Sequence, residues 1–323
     1  MNNPNTSVLA ILFFITSCTQ ELFLPFSGQE PALTIVARFS DRDTVHYVYL
    51  SVSTGPNLIS PTCDSSVKVY NNNLCIAQTD SIYTNSNEPW IQKHELNMTI
   101  EPGGEYYLQV SSEKMNAFSF AKALPRYSGR VSVIDYSSNT DEDGYYYYDN
   151  IKICFQDNPS DNNYYLLSDR LDGIIRYWKD TIIIDSCHVN NLGTIKRPIY
   201  HNGITTELGL ETDISGSGLF IFSDSSFSDN CFYVNTDFTE RPLIMSSWSR
   251  FYKKDTYDRI TISAILQLGM VTKDEYDYIR LLNSREGSLI KEPVILPNNI
   301  IDGFGHFGIV TVSDIDINLP TSF

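Results

Sequence analysis

The sequence is short of positive charge. Its 323 residues include 23 lysines and arginines against 39 aspartates and glutamates, which gives a formal net charge of −16. Binding to a phosphate backbone depends on clustered lysine and arginine side chains, so we expect no nucleic-acid partner. Hydrophobic residues make up 42% of the chain and charged residues 19%, a composition that supports a buried core and argues against a disordered protein.

Motifs for catalysis and for metal binding are also missing. The nearest match to a Gly-x-Ser-x-Gly nucleophile elbow is Gly216-Ser217-Gly218, which lacks the required spacing. The five histidines form neither a His-x-x-x-His nor a His-Glu-x-x-His pair. We therefore expect no catalytic residue, no metal ion and no other cofactor, and we predict that the protein is not an enzyme. An enzyme that cleaves glycans with two loop carboxylates is the weaker alternative, and the sequence nominates no such pair.

The sequence has no apolar run long enough for a transmembrane helix, which needs about 20 residues. Residues 7–15 form a shorter run that suits the apolar region of a signal peptide. It leads into Ile15-Thr16-Ser17-Cys18, which resembles the lipobox that bacterial lipoprotein signal peptidase cleaves before the cysteine. We expect residues 1–17 to be a lipoprotein signal peptide, Cys18 to be lipidated, and residues 18–30 to form a lipidated tether.

Cysteines are few, and five of the six lie beyond Cys18. No two of them have the Cys-x-x-Cys spacing of zinc or redox sites. In an oxidising compartment Cys63 can pair with Cys75, or Cys187 with Cys231, and the odd number leaves at least one thiol free. Buried free cysteines are an equally weighted alternative.

The first part of the chain alternates apolar and polar residues over short stretches. Residues 45–53 show this pattern clearly, and polar turn clusters such as Pro102-Gly103-Gly104 separate the stretches. Six or seven short strands in about 100 residues are typical of a β-sandwich. We predict that residues 31–126 form a sandwich of immunoglobulin-like architecture.

The second part is again rich in strand-like segments. We predict that residues 127–323 form a second β-rich domain, either a sandwich or a barrel, so that the fold class is all-β. One helix is expected near residues 272–284, because Thr272 and Glu275 have the spacing of a capping box. We expect the glycines between Gly303 and Gly308 to let the backbone bend where the last strand closes this second domain.

A run of four tyrosines offers the best candidate for a ligand contact. If the run is extended, Tyr145 and Tyr147 point to one face and the other two tyrosines to the opposite face. Exposed tyrosine rings can stack on sugars or peptides, so we interpret Tyr145 and Tyr147 as candidate ligand-binding residues. Packing in an ordinary half-buried strand is the alternative.

Several segments from both halves of the chain share features with one known family. They are Cys18, residues 33–39, residues 100–107, Ala123-Leu124-Pro125, residues 155–159, Phe222-Ser223-Asp224, residues 275–279, Glu292-Pro293-Val294 and residues 299–308. Together they resemble a family of outer-membrane lipoproteins of Bacteroidota that is known only as a domain of unknown function. Its members are commonly encoded beside TonB-dependent transporters. The chain departs from the family at His306, where an aliphatic residue is more usual.

The resemblance implies a surface-tethered lipoprotein that is held in the outer membrane by its lipid and faces the periplasm or the cell surface. It implies a protein that binds a small-molecule, glycan or peptide ligand, partners a TonB-dependent transporter in nutrient uptake, or does both. The family offers no established catalytic residues. A structural or adhesive cell-surface protein is the alternative, since tyrosine-rich β-sandwiches suit that role equally well.

Overall fold

The structure, a computed structural model, describes residues 31–55, 58–60, 64–85, 88–112, 115–140, 147–156, 163–168, 170–199, 219–223, 231–238, 258–286 and 296–318. The predicted signal peptide, Cys18, the tether, Cys63 and Tyr145 lie outside these residues. The described chain is mostly β, in more than one sheet, with a single short helix, which confirms the predicted all-β fold class.

The strands and the helix follow one another along the chain with these bounds. They are β1 (Ala32–Ser40), β2 (Val45–Gly55), β3 (Leu58–Ser60), β4 (Ser65–Asn71), β5 (Leu74–Thr79), β6 (Tyr83–Asn85), β7 (Glu88–Asn97), β8 (Glu105–Ser112), β9 (Met115–Lys122), β10 (Val131–Thr140), β11 (Tyr147–Gln156), β12 (Tyr164–Ser168), β13 (Arg170–Lys179), β14 (Ile182–Ile199), β15 (Leu219–Ser223), β16 (Cys231–Phe238), β17 (Arg259–Val271), α1 (Lys273–Glu286), β18 (Ile300–Ile301) and β19 (Gly303–Asn318).

Two sheets enclose the main hydrophobic core. The larger sheet has the strand order β10-β11-β16-β14-β13-β17-β19-β1-β2-β7-β6, and the smaller one has the order β18-β9-β8-β4-β5. Strand β1 buries every second residue, as a period of two requires. The core draws its buried residues from both sheets, among them Leu33, Ile35, Phe39, Leu50, Val69, Leu108 and Val110.

The C-terminal strands complete this sandwich. Strand β19 pairs in parallel with β1, from Leu33 opposite Gly303 to Ser40 opposite Val310, and β18 pairs with β9. Phe307 lies in the core with its ring 5.0 Å from that of Phe39. Residues 300–310 are therefore part of the first sandwich, which the predicted division near residue 126 did not include. The glycines of this segment were expected to let the backbone bend where the last strand closes a second domain, and they lie instead in the part of β19 that pairs with β1.

Strand β19 also joins the two halves of the chain. Its far part pairs antiparallel with β17, from Ser263 opposite Asn318 to Met270 opposite Thr311. The strands of the second half thus extend the same large sheet. A smaller core forms where this extension meets the helix, from Leu166, Ile221, Val271, Tyr278, Ile279 and Val310.

Helix α1 begins as the capping motif predicts. The Thr272 hydroxyl accepts the backbone N–H of Glu275 at 3.4 Å. The apolar stripe of the helix packs on the large sheet through Ile279 and Leu282. The carboxylate of Glu275 does not close the capping box, because it turns inward and is buried.

The predicted cysteine pairs are not formed in the structure. Cys75 and Cys187 are free thiols, so neither the pairing of Cys63 with Cys75 nor that of Cys187 with Cys231 holds. Cys154 is disulfide-bonded instead. Spacing along the chain cannot fix connectivity, which depends on strand register.

Two histidines lie in the sandwich core in the neutral state. His46 donates from Nε2 to the Met98 carbonyl oxygen at 3.2 Å, and Nε2 of His94 lies 2.8 Å from the Ser65 hydroxyl. Burial lowers the pKa of both rings, and for His94 it outweighs the opposing effect of Asp80. Protonation of either ring therefore opposes folding.

We expect the free energy of unfolding to fall as the pH drops below about 6.5, the ordinary histidine pKa. Because the folded-state pKa values are depressed, the unfolded chain binds protons first. Stability is then lost by up to about 1.4 kcal/mol per pH unit for each histidine. Urea unfolding between pH 7.5 and 5 measures this slope. His94→Gln should make this slope shallower. The control is His188→Gln, because His188 is exposed. Equal slopes for the two variants would contradict the burial of a neutral His94.

Candidate functional site

A groove of about 440 Å³ lies between α1 and the outer face of the large sheet. It exists because β1 sends its odd-numbered residues into the core, which leaves Val36 and Arg38 pointing outward as the floor. Tyr47 and Tyr49 of β2 form one wall. The other wall combines helix and strand residues, which are Tyr278, Leu282 and His306.

Strand register places these groups side by side. Val36 lies opposite His306 in the parallel pair β1–β19 and opposite Tyr49 in the antiparallel pair β1–β2. Arg38 lies opposite Gly308. The groove therefore crosses three adjacent strands that come from the two ends of the chain.

A buried carboxylate holds the groove together. The side chain of Glu275 is fully buried, Arg38 donates from Nε to its Oε1 at 2.5 Å, and Nε2 of His306 lies 2.6 Å from its Oε2. Because an ionised carboxylate only accepts, Nε2 of His306 carries the hydrogen. Gly308 leaves the space for this carboxylate, since a Cβ at that position would overlap Oε2 of Glu275.

The ionisation of the cluster follows from its neighbours. Burial by itself would raise the pKa of Glu275, but Arg38 and His306 outweigh it and keep that pKa below its usual value. The Tyr278 ring stacks on His306, with centroids 4.2 Å apart and planes 7° apart. Burial raises the pKa of Tyr278, so its phenol stays protonated.

Four of the described residues that line the groove have polar or charged side chains, namely Arg38, Asp43, His46 and His306. Arg38 keeps 35% of its side chain exposed, and its Nε is the atom committed to Glu275. Nδ1 of His306 is buried, and no described residue is bonded to it. Lys93 lies over the Tyr47 ring, with Nζ 3.5 Å from its centroid. This arrangement presents guanidinium N–H groups among aromatic and aliphatic surfaces.

None of the sequence-predicted site residues that the structure describes lines this groove. Tyr147 starts β11 opposite Thr140, and its side chain lies outside the described part of the structure, as does Tyr145. Cys75 is exposed on β5, and Cys231 starts β16 opposite Gln156. The proposed tyrosine platform at Tyr145 and Tyr147 stays a prediction.

The groove residues themselves carried only indirect signals. Glu275 matched a capping box and His306 departed from the usual family residue, and both lie in segments that carried the resemblance. Nothing in the linear sequence joins them to Arg38, since parallel pairing between distant strands leaves no turn to detect. The buried face of a helix is predicted from the spacing of its apolar residues, so this method gives no sign that a glutamate is buried.

The described residues include no group of three histidine, cysteine, aspartate or glutamate side chains placed to hold a metal ion. Within the same ranges no helix has both the length and the apolar character to cross a membrane.

The structure defines an all-β protein in which a helix covers a groove on the large sheet. The family described as "Domain of unknown function (DUF4249)" matches residues 19–316, and the chain belongs to that family. This confirms the resemblance to a family known as a domain of unknown function, and the match includes every residue of the groove. No curated protein matches the chain.

Proposed function

We propose that the protein is an outer-membrane lipoprotein of a Bacteroidota bacterium that captures a ligand in the groove under α1 and partners a TonB-dependent transporter. The groove carries the proposal. Its volume of about 440 Å³ falls within the usual range for small-molecule sites, and its lining is mostly aromatic and aliphatic with a few polar groups.

The groove is prepared for binding before a ligand arrives. Glu275 already fixes the Arg38 and His306 side chains, so these two side chains lose little conformational freedom when a ligand binds. The ligand that this lining suits has a flat or apolar body between Tyr49 and Tyr278 and an oxygen acceptor for Arg38. A carboxylate or a carbonyl group meets that requirement.

Binding is better supported than catalysis. Among the described residues that line the groove there is no serine, threonine or cysteine. The Glu275 carboxylate is engaged by Arg38 and His306 and is fully covered, so it has no access to a substrate. Asp43 is then the one accessible carboxylate among the described lining residues, and a glycan-cleaving pair needs two. The description of the family names no enzyme activity.

A lipid on Cys18 would make capture useful to a transporter. A tether converts the second encounter into an intramolecular one, which raises the effective concentration of loaded protein at the transporter mouth. The resemblance of residues 15–18 to a lipobox supports this part of the proposal.

Filling the groove should abolish ligand retention. Val36 is 41% exposed on the groove floor, so Val36→Arg places a long charged side chain in the groove without disturbing the core. Native mass spectrometry of protein purified from its own outer membrane in mild detergent should show a ligand mass on the wild type and none on this variant.

Ile183→Arg is the matched control for the groove variant. Ile183 is 44% exposed on β14, outside the groove lining, and the control makes the same charge change. It should keep the ligand mass. An identical ligand mass on Val36→Arg, or no ligand mass on any of the three proteins, would contradict capture in the groove.

A further inference from the structure

A row of aromatic rings crosses the outer face of the smaller sheet. Tyr70 of β4 lies opposite Tyr107 of β8, and Tyr107 lies opposite Phe120 of β9. Their ring centroids are 5.6 Å and 4.8 Å apart in that order. We call these three residues the aromatic row.

The aromatic row is not part of the sandwich core. Its residues alternate with the inward-facing Val69, Tyr106 and Ala121, which belong to the core or pack against it. Phe120 is 64% exposed, and Phe118 extends the aromatic surface with its ring 6.1 Å from that of Tyr107. Tyr70 and Tyr107 are half-buried beside Phe120, and an apolar ring surface of this kind on an outer sheet face is typical of an interaction site.

Polar groups surround the aromatic row without giving it a strong charge. Asn72 and Asn73 form the adjacent turn between β4 and β5, and both are exposed. Glu105 and Lys122 lie at the other end with their charged atoms 3.9 Å apart, so their charges largely offset one another. The cleft beside these residues has a volume of about 490 Å³. Its lining also includes Thr272 and Asp274 at the start of α1, Asn299, and the inward-facing Tyr106 and Phe307.

We infer that the aromatic row is a binding site for a neutral glycan. Rings on successive strands offer consecutive flat surfaces for the apolar faces of sugar units, and the asparagine amides can both donate to and accept from sugar hydroxyls. The net charge of −16 disfavours acidic glycans. Single-stranded nucleic acids also stack on rings, but they need a basic groove, and among the described residues that line this cleft only Lys122 is basic.

This inference is independent of the groove under α1, because the two sites share no lining residue. The cleft borders α1 at Thr272 and Asp274, and the groove borders it at Tyr278 and Leu282. It also differs from the sequence prediction at Tyr145 and Tyr147. The signal that could have revealed it is the outward position of one aromatic residue in each of three neighbouring strands.

Affinity electrophoresis of the full-length protein in detergent tests the inference. The gels contain one neutral polysaccharide each, namely starch, xyloglucan, galactomannan or yeast mannan, with alginate as the acidic comparison. At least one neutral polysaccharide should retard the wild type, and alginate should not. Phe120→Ala should weaken that binding about tenfold or more, which corresponds to about 1.4 kcal/mol.

Matched variants separate the aromatic row from other effects. Ile182→Ala removes a side chain of similar exposure, 68%, on β14 and should bind as the wild type does. Val36→Arg, which fills the groove, should also bind the polysaccharide as the wild type does. Failure of the groove proposal would therefore not change the result for the aromatic row. Since Phe120 lies on the surface, unchanged circular dichroism confirms that its variant is folded.

Three outcomes would overturn the inference. They are retardation by none of the four neutral polysaccharides, equal binding by Phe120→Ala and the wild type, and stronger binding to alginate than to any neutral polysaccharide. Retention on immobilised casein peptides with no retardation by the polysaccharides would likewise identify a peptide site and reject the glycan.

Discussion

Replacing Glu275 by alanine is expected to lower the free energy of unfolding by about 3 kcal/mol. Removing one member of a buried ion pair typically costs about 3 to 5 kcal/mol, because the remaining charge loses its partner. The lower end applies here since Arg38 is 35% exposed and can reach water. Urea unfolding should show a lower midpoint with an unchanged slope.

A surface carboxylate provides the control for this measurement. Glu105 is 75% exposed and lies 3.9 Å from Lys122. Glu105→Ala should change the free energy of unfolding by less than about 0.5 kcal/mol. Equal effects of Glu105→Ala and Glu275→Ala would show that the Glu275 carboxylate is not buried in the arrangement described.

A double-mutant cycle between Gly308 and Glu275 also tests whether the Glu275 carboxylate is buried against Gly308. Gly308→Ala alone should destabilise the protein, because its Cβ would overlap the Glu275 carboxylate. Combined with Glu275→Ala it should cost much less, since the obstructing side chain is gone. We expect an interaction energy of about 1 to 3 kcal/mol in this double-mutant cycle, and additive effects would contradict the contact.

The second large effect is expected at Gly305 of β19, where an added Cβ has no space beside β1. Its φ is +114°, and a Cβ there would collide with the backbone carbonyl of Ile35, its register partner. Backbone strain and overpacking each cost about 1 to 3 kcal/mol, so Gly305→Ala should lower the free energy of unfolding by about 4 kcal/mol.

Gly103 isolates the strain from the collision. Its φ is +85°, but a Cβ there would meet nothing within 4 Å. Gly103→Ala should therefore show only the cost of backbone strain, about 1 to 3 kcal/mol. If thermal or urea unfolding gives the same loss for both variants, β1 and β19 do not approach each other as the structure shows.

Local pattern was sufficient for most of the first sandwich and for the helix. Alternation over residues 45–53 predicts β2, which spans Val45–Gly55, and the capping motif predicts α1 within two residues at either end. Both signals are written in neighbouring residues, because side chains alternate in a strand and the first amides of a helix need a cap.

The pairing of strands that are distant along the chain could not be predicted from the sequence. Strand β19 is the parallel partner of β1, and such pairs need no hairpin turn that a sequence pattern could reveal. The same limit applies to the cysteines, where Cys154 is disulfide-bonded while Cys75 and Cys187 are free. It applies to the groove as well, because Arg38, Glu275 and His306 become neighbours only through that pairing.

The two proposed binding surfaces suit a protein that works beside a transporter. A groove prepared by a buried carboxylate can hold a small ligand, and the aromatic row on the other sheet can hold a glycan chain. Neither surface needs the protein to cross the membrane, and a lipid on Cys18 would keep both close to it. Capture for uptake explains the groove more directly than an adhesive role does, since adhesion needs no prepared small-molecule site.

The central claim is tested most directly by purifying the full-length lipoprotein from its native outer membrane. A C-terminal tag and mild detergent are used, and mass spectrometry identifies the proteins that co-elute. The proposal predicts a TonB-dependent barrel in stoichiometric amount, retained after a salt wash. Recovery of the lipoprotein alone, or together with fimbrial subunits, would contradict the partnership and favour a structural or adhesive role.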